Sequence, residues 1–167
     1  MKCPYCGTEN ISGNDDCEAC AGNLSSLDGL VPSTKMEKVL MEDPIAKLRP
    51  RAATVVEAKS SALEAVRRMN HDKVGCVLVT EQGNLVGILT ERDIVFKVLA
   101  TQQQPSKVTV KSVMTPSPDT LSDEDTLAFA VNEMAVGGYR HIPIKRKGKL
   151  DSVLSVRDVL KYLARIF

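Results

Sequence analysis

Four cysteines stand within the first twenty residues: Cys3 and Cys6 in CPYCG, Cys17 and Cys20 in CEACAG. Two thiolates spaced C-x2-C on a tight turn can take two corners of a tetrahedron, and a second such pair takes the other two. Gly7 lets the backbone turn back after the first pair. A segment of about twenty residues cannot build a hydrophobic core, so the metal would supply its folding free energy. Zn²⁺ is the expected ion, with iron in the same thiolate cage as the alternative. Disulfides would require an oxidising compartment. Four thiolates leave no open coordination position, so the expected role is structural. The fifth cysteine, Cys76 in VGCVLV, reads as a small buried apolar residue.

A second pattern occurs twice: TERD at residues 90–93 and SVRD at residues 155–158. Each follows an apolar run and opens a helical stretch. Thr90 and Ser155 are good N-caps, with Asp93 and Asp158 three residues on, as in a capping box. A strand feeding a helix N-terminus is also where a phosphate meets N–H groups and the positive end of the helix dipole. A carboxylate there can accept hydrogen bonds from two ribose hydroxyls. Arg92 and Arg157, one residue before each Asp, could offer charge to phosphates. The residues alone leave the cap reading and the ligand reading both open.

The elements that carry these boxes are duplicated. A shift of 65 residues brings Ala65, Val66 and Met69 onto Ala130, Val131 and Met134, and Gly83 and Leu85 onto Gly148 and Leu150. It also brings Leu89, Arg92 and Asp93 onto Leu154, Arg157 and Asp158. Upstream of Ala65 the register slips by one. Each unit predicts a short strand (Thr54 to Val56; Thr120 and Leu121) and an amphipathic helix with apolar residues at helical spacing. A hairpin through EQGN or KRKGK follows, then a closing helix (Glu91 to Ala100; Val156 to Arg165). Two β-α-β-β-α units packed together would bury the sheet face that one alone leaves open. The expected organisation is a cysteine segment over 1–23, a linker with a short helix over 24–43, a first repeat over 44–104 and a second over 105–167.

Composition bounds what such a chain does. It has 167 residues, is 43% hydrophobic and 26% charged, and carries a net charge of +1. No global field steers it to nucleic acid or membrane. No apolar run approaches the roughly 20 residues of a membrane span. The N-terminus lacks the apolar region of a signal peptide. A soluble cytoplasmic protein is expected. With only two histidines, His71 and His141, and no activated nucleophile, no catalytic constellation is visible. A non-enzyme is expected.

Two resemblances follow from these strings. CPYCGTENISGNDDCEACAGNL resembles the short zinc-ribbon family, with Ala21 where that family has glycine and Gly22 following. The segment sets Lys2 against Glu9, Asp15, Asp16 and Glu18, and a Zn(Cys)₄ centre adds negative charge. This surface repels phosphates, which argues for a protein-contacting or packing role over nucleic-acid binding. Residues 44–167 resemble a tandem pair of CBS domains, an α+β fold. Their signature G-h-x-T/S-x-x-D is complete as Gly87, Thr90 and Asp93, whereas Ser152 replaces glycine before Ser155 and Asp158.

The CBS resemblance implies binding of adenosine-containing ligands (AMP, ADP, ATP or S-adenosylmethionine) in two inter-repeat clefts, with Asp on ribose and Thr or Ser on phosphate. It implies crossed clefts: Thr90 and Asp93 face Arg140, His141 and Thr120, while Ser155 and Asp158 face Gly75, Cys76, Thr54 and Val55. Arg140 and His141 make the Asp93 side the expected site of a phosphorylated ligand; the Thr54–Val55 wall reads as small and neutral. The implied function is a regulatory module that passes a ligand-stabilised geometry to a protein partner, as a homodimer joined through helices. The alternatives are a ligand-free scaffold or a ribbon that binds nucleic acid.

Overall fold

The computed structural model describes residues 1–3, 5–11, 14–24 and 34–166; residues 25–33 of the expected linker lie outside the described residues. The chain divides into two compact units interleaved in sequence. One is Met1–Pro50 with Leu121–Ile142 and Leu154–Phe167, and the other is Arg51–Thr120 with Pro143–Val153.

The second of these units is built on β2 (Val55–Glu57), β3 (Cys76–Glu81), β4 (Asn84–Thr90) and β5 (Thr115–Pro116), after the short β1 (Arg51–Ala52). The sheet order is β2-β3-β4-β5, with β2 parallel to β3 and the rest antiparallel. The parallel step needs a crossover, which is α2 (Ala62–Asp72). Ser61 caps α2 by accepting from the Glu64 amide at 3.2 Å, and Ala62, Ala65 and Met69 form its buried stripe. Strand β3 is buried on both faces. Val77 and Val79 pack with α2 and Val98, Val110 and Val113, while Cys76 and Leu78 pack with Ile88, Val55 and Val153. Gln82 and Gly83 both have positive φ, the two-residue turn whose twist suits a hairpin.

Gly87 is required by a close approach. A Cβ there would lie 2.4 Å from Met114 Sδ and 3.0 Å from the Thr115 carbonyl oxygen, because β5 pairs alongside it at Pro116. Its counterpart Ser152 pairs with Ala52 of β1, Ala52 standing opposite Ser152 in the register, and its buried hydroxyl has no hydrogen-bond partner among the described residues. After Thr90 the chain makes one α-helical turn, α3 (Glu91–Asp93), and continues as a π-helical segment over Ile94–Leu99. The Ala100 amide donates five residues back to Val95 at 2.9 Å. The expected regular helix over Glu91 to Ala100 is therefore wound more loosely than its counterpart α6. A short α4 (Val110–Val113) leads into β5; four residues carry too little periodicity to be read from the sequence.

The other unit holds α1 (Lys35–Glu42), a 3₁₀ turn (Ile45–Leu48), β6 (Leu121–Ser122), α5 (Leu127–Gly137) and α6 (Val156–Ile166). Thr34 and Glu37 form a reciprocal capping box on α1. The hairpin of β7 (His141–Arg146) and β8 (Lys149–Ser155) falls mostly in the unit of Arg51–Thr120, where β8 pairs antiparallel with β1. Strands β7 and β8 and helix α5 begin and end at the 65-residue offset from β3, β4 and α2, and β6 starts one residue later than that offset from β2. The one-residue slip upstream is thus located at this strand.

Asp43 ties this unit together. It is 8% exposed and accepts hydrogen bonds from Lys47 Nζ and from the Tyr162 hydroxyl of α6 at 2.6 Å. Its carbonyl accepts from the Leu127 amide at the start of α5 at 3.0 Å. The bonds from Lys47 and Tyr162 hold the Asp43 carboxyl below its ordinary range against the opposing effect of burial. Its stabilisation is complete above the ordinary carboxylate value near ~4 and is lost as pH falls through the lower folded value.

Two outcomes are expected. Gly87→Ala destabilises by ~1–3 kcal/mol through overpacking against β5, read by urea unfolding. Tyr162→Phe costs ~1–3 kcal/mol at neutral pH, as for a hydrogen bond to a charged group. In a pH series the difference from the wild type shrinks once acid protonates Asp43.

Candidate functional site

The four cysteines converge. Their sulfur atoms all lie within 4.8 Å of one another, with Cys3 to Cys20 at 3.7 Å and Cys6 to Cys17 at 3.5 Å. Tetrahedral thiolates at a metal–sulfur distance of ~2.3 Å stand about that far apart, so the donor set fits a tetrahedral ion. Two matching turns hold the pairs. The Cys3 amide donates to the Thr8 carbonyl and Gly7 to Cys3; the Cys17 amide donates to the Gly22 carbonyl and Ala21 to Cys17. The Tyr5 amide and the Asn10 side-chain amide point at Cys3 Sγ and Cys17 Sγ, each at 3.4 Å; burial still pushes the Cys3 thiol up, whereas amide bonds outweigh burial at Cys17 and bring it down to about 6. Gly7 has φ +73° and Ala21 has φ +53°. Ala21 thus occupies the left-handed region that suits glycine, and the departure from the ribbon pattern is absorbed as backbone strain.

This segment is docked on α5. Lys2 pairs with the Asp125 carboxylate, whose other oxygen accepts from the Ser122 amide at 2.8 Å. The backbone at Gly7 lies against the Phe129 ring, where an added Cβ would come within 3.2 Å. Leu24 is fully buried with Cys3 and Cys17.

The two Thr/Ser–Asp boxes are closed in the same way. Asp93 Oδ2 accepts from the Thr90 amide at 3.0 Å and the Thr90 hydroxyl at 2.6 Å, and the Asp93 amide donates to Thr90 Oγ1 at 3.2 Å. Asp158 Oδ2 accepts from the Ser155 amide at 3.0 Å and its hydroxyl at 2.5 Å, with the return bond at 3.2 Å. The first helical amides are also used: Glu91 donates to the Gly75 carbonyl at 3.0 Å and Val156 to the Arg140 carbonyl at 3.1 Å. Two amides that an incoming phosphate would use are therefore already bonded in each repeat. Gly75 and Arg140 serve here as backbone acceptors, a role that their side chains could not signal.

The other expected residues fall as follows. Arg92 stacks over the Phe96 ring, 5.6 Å from its centroid, and Arg157 is exposed. Arg140 is exposed just before β7, and His141 begins β7 half-buried. Thr120 precedes β6. Cys76 is buried at 5% exposure among Leu78 and Ile88.

Thr54 and Val55 line a cavity of about 460 Å³ together with Arg51, Ala52, Ala53, Arg68, Asp72 and Val74. This wall is charged, not neutral. Arg51 and Arg68 went unread because they lie in β1 and on α2, outside the repeated motif. The Thr54 hydroxyl donates to Asp72 Oδ2 at 2.7 Å, and His71 Nδ1 meets Asp72 Oδ1 at 2.7 Å. These bonds, His71 foremost, hold the Asp72 carboxyl below its ordinary value.

The family model of the CBS domain matches residues 36–100 and 110–165. The chain belongs to the CBS-domain family, and its α+β fold is two CBS repeats preceded by a cysteine cluster that could hold a metal. It is 30% identical over 120 residues to the CBS domain-containing protein CBSCBSPB2 of Arabidopsis thaliana, a match covering 71% of this chain and 22% of that protein. It thus spans about a fifth of that relative's length. An uncharacterised conserved protein of Pyrococcus horikoshii is 28% identical with a TM-score of 0.67, covering 74% of this chain and 93% of that one. A CBS domain protein of Pyrobaculum aerophilum, solved complexed with AMP, shares the fold at 23% identity and a TM-score of 0.64, covering 74% and 99%. No helix among the described residues is long and apolar enough to cross a membrane.

Elemental analysis of the purified protein is expected to give one metal ion per chain, lost in Cys17→Ser. Ala21→Gly relieves the left-handed strain and stabilises the metal-loaded protein by ~1 kcal/mol, read as a higher melting temperature.

Proposed function

We propose that this protein is a regulatory, non-catalytic CBS module that binds a phosphorylated adenosine ligand and carries a structural zinc ribbon. The observation that carries the reading is the cavity beside Thr54 and Val55, where Arg51 and Arg68 supply two cations next to apolar Ala53, Val55 and Val74. Apolar walls with a few placed charges suit a base joined to a phosphate. Arginine pairs with phosphate oxygens bidentately. This chemistry favours AMP, ADP or ATP over the cationic S-adenosylmethionine. Each repeat carries one candidate ribose acceptor, Asp93 or Asp158, and the AMP complex of the Pyrobaculum relative supports a nucleotide.

The four-thiol cluster is proposed to hold Zn²⁺ in a purely structural role. With ribbon and α5 joined through Lys2 and Phe129, the ribbon is the surface offered to a protein partner. Exposed Val95, Phe96 and Leu99 on one helix and Leu160 on another support a homodimer joined through helices.

A second reading, a ligand-free scaffold, is favoured by the closed Thr/Ser–Asp boxes, which need no ligand to satisfy them.

A thermal-shift panel of AMP, ADP, ATP, S-adenosylmethionine and NAD separates the two. A ligand at one hundred times its dissociation constant stabilises by ~2.7 kcal/mol. Arg68→Ala is expected to weaken the phosphorylated ligand by at least ~10-fold, the effect of losing ~1.4 kcal/mol, with little change in the melting temperature of the free protein. No shift with any compound decides for the scaffold.

A further inference from the structure

We infer that Lys97 decides which repeat takes the nucleotide: it occupies the Asp93 carboxylate and leaves Asp158 as the open one. This rests on the nucleotide-binding reading above and reverses the expectation drawn from Arg140 and His141.

A carboxylate offers about four acceptor positions over its two oxygens, and gripping a ribose diol takes two of them. In the first repeat Asp93 Oδ2 already accepts from the Thr90 amide and hydroxyl. Its Oδ1 lies 2.7 Å from Lys97 Nζ, and the Asp93 side chain is 12% exposed. Three positions are therefore used, and what remains cannot hold both hydroxyls. The lysine is fixed at a second point as well, donating to the Val113 carbonyl at the end of α4 at 2.9 Å. A ribose would have to break a short ion pair and strand an ammonium group against that carbonyl. The partly buried Asp93 carboxyl is held below its ordinary value by Lys97 and Thr90 against the effect of burial, in keeping with a formed pair.

In the second repeat the residue one helical turn past Asp158 is Tyr162. Its hydroxyl is turned to Asp43, 2.6 Å away. Asp158 Oδ2 accepts from Ser155 as Asp93 does from Thr90, but no cation stands at the position of Lys97. Among the described residues Asp158 Oδ1 keeps its acceptor positions. The two boxes are alike in sequence and in their capping bonds, and they differ in this one neighbour.

Isothermal titration with AMP and ATP tests the inference in the full-length protein. The wild type is expected to bind one nucleotide per chain. Asp158→Asn is expected to weaken binding at least ~10-fold and Asp93→Asn to change it less than ~2-fold. Lys97→Met, which keeps the apolar stem, is expected to raise the stoichiometry to two per chain. Lys97→Gln gives the same readout should the methionine variant prove unstable. The inference is overturned, with the nucleotide reading intact, if Asp93→Asn abolishes binding while Asp158→Asn spares it, if the wild type already binds two, or if both folded Lys97 variants still bind one. Wild-type and Lys97→Met proteins that both bind no nucleotide overturn the inference and the nucleotide reading together.

Discussion

The junction between a buried strand and the helix that follows it is the constraint on which the rest hangs. At Thr90 and at Ser155 the chain leaves the hairpin's second strand and turns into a helix. The turn is pinned by three bonds between the hydroxyl residue and the Asp three positions on. A fourth bond, from the first helical amide to the residue preceding the hairpin, fixes the helix start to the other strand. The strand end and the helix start are thereby tied together, and any ligand chemistry at the Asp must work within a hydrogen-bond set that is complete without it. This is why the side chain one turn further on, lysine in one repeat and tyrosine in the other, has so much leverage.

A second constraint concerns the unit that contains the chain start. Residues 43–46 bond through their backbone to Asp123, Asp125 and Leu127 around the start of α5, and the Asp43 carboxylate reaches α6 through Tyr162. The cysteine segment joins the same helix through Lys2 and Gly7. Asp125 serves both, holding Lys2 on one oxygen and the Ser122 amide on the other. The cysteine segment and the start of α5 therefore share a residue.

Much of this was legible in the linear chain. The 65-residue offset located both hairpins and both crossover helices, because strands and helices of a duplicated unit keep their hydrophobic period when surface residues diverge. The cysteine spacing located the cluster, because two thiols on one tight turn cannot avoid each other. The departures have physical reasons too. The π-helical winding after Asp93 depends on which carbonyl each amide finds within a packed helix, and apolar periodicity does not resolve one residue per turn. Helix α4 and strands β1 and β5 are too short to carry a period. Arg51 and Arg68 belong to no motif and meet beside Thr54 only in three dimensions.

Residue types and spacings alone determined the fold class, the duplication, the four-thiol cluster and the paired Thr/Ser–Asp boxes. Those features are local or periodic, and local geometry needs no knowledge of distant neighbours. Tertiary structure decided the charge of the cavity wall, the docking of the cysteine segment on α5 and the inequality of the two carboxylates. Lys97 and Tyr162 stand at equivalent positions, and either could have turned to its own Asp. The tyrosine turns instead to Asp43, 119 residues earlier, a buried carboxylate that it shares with Lys47. A pairing chosen by such long-range competition is settled by packing, and packing is absent from a string of letters.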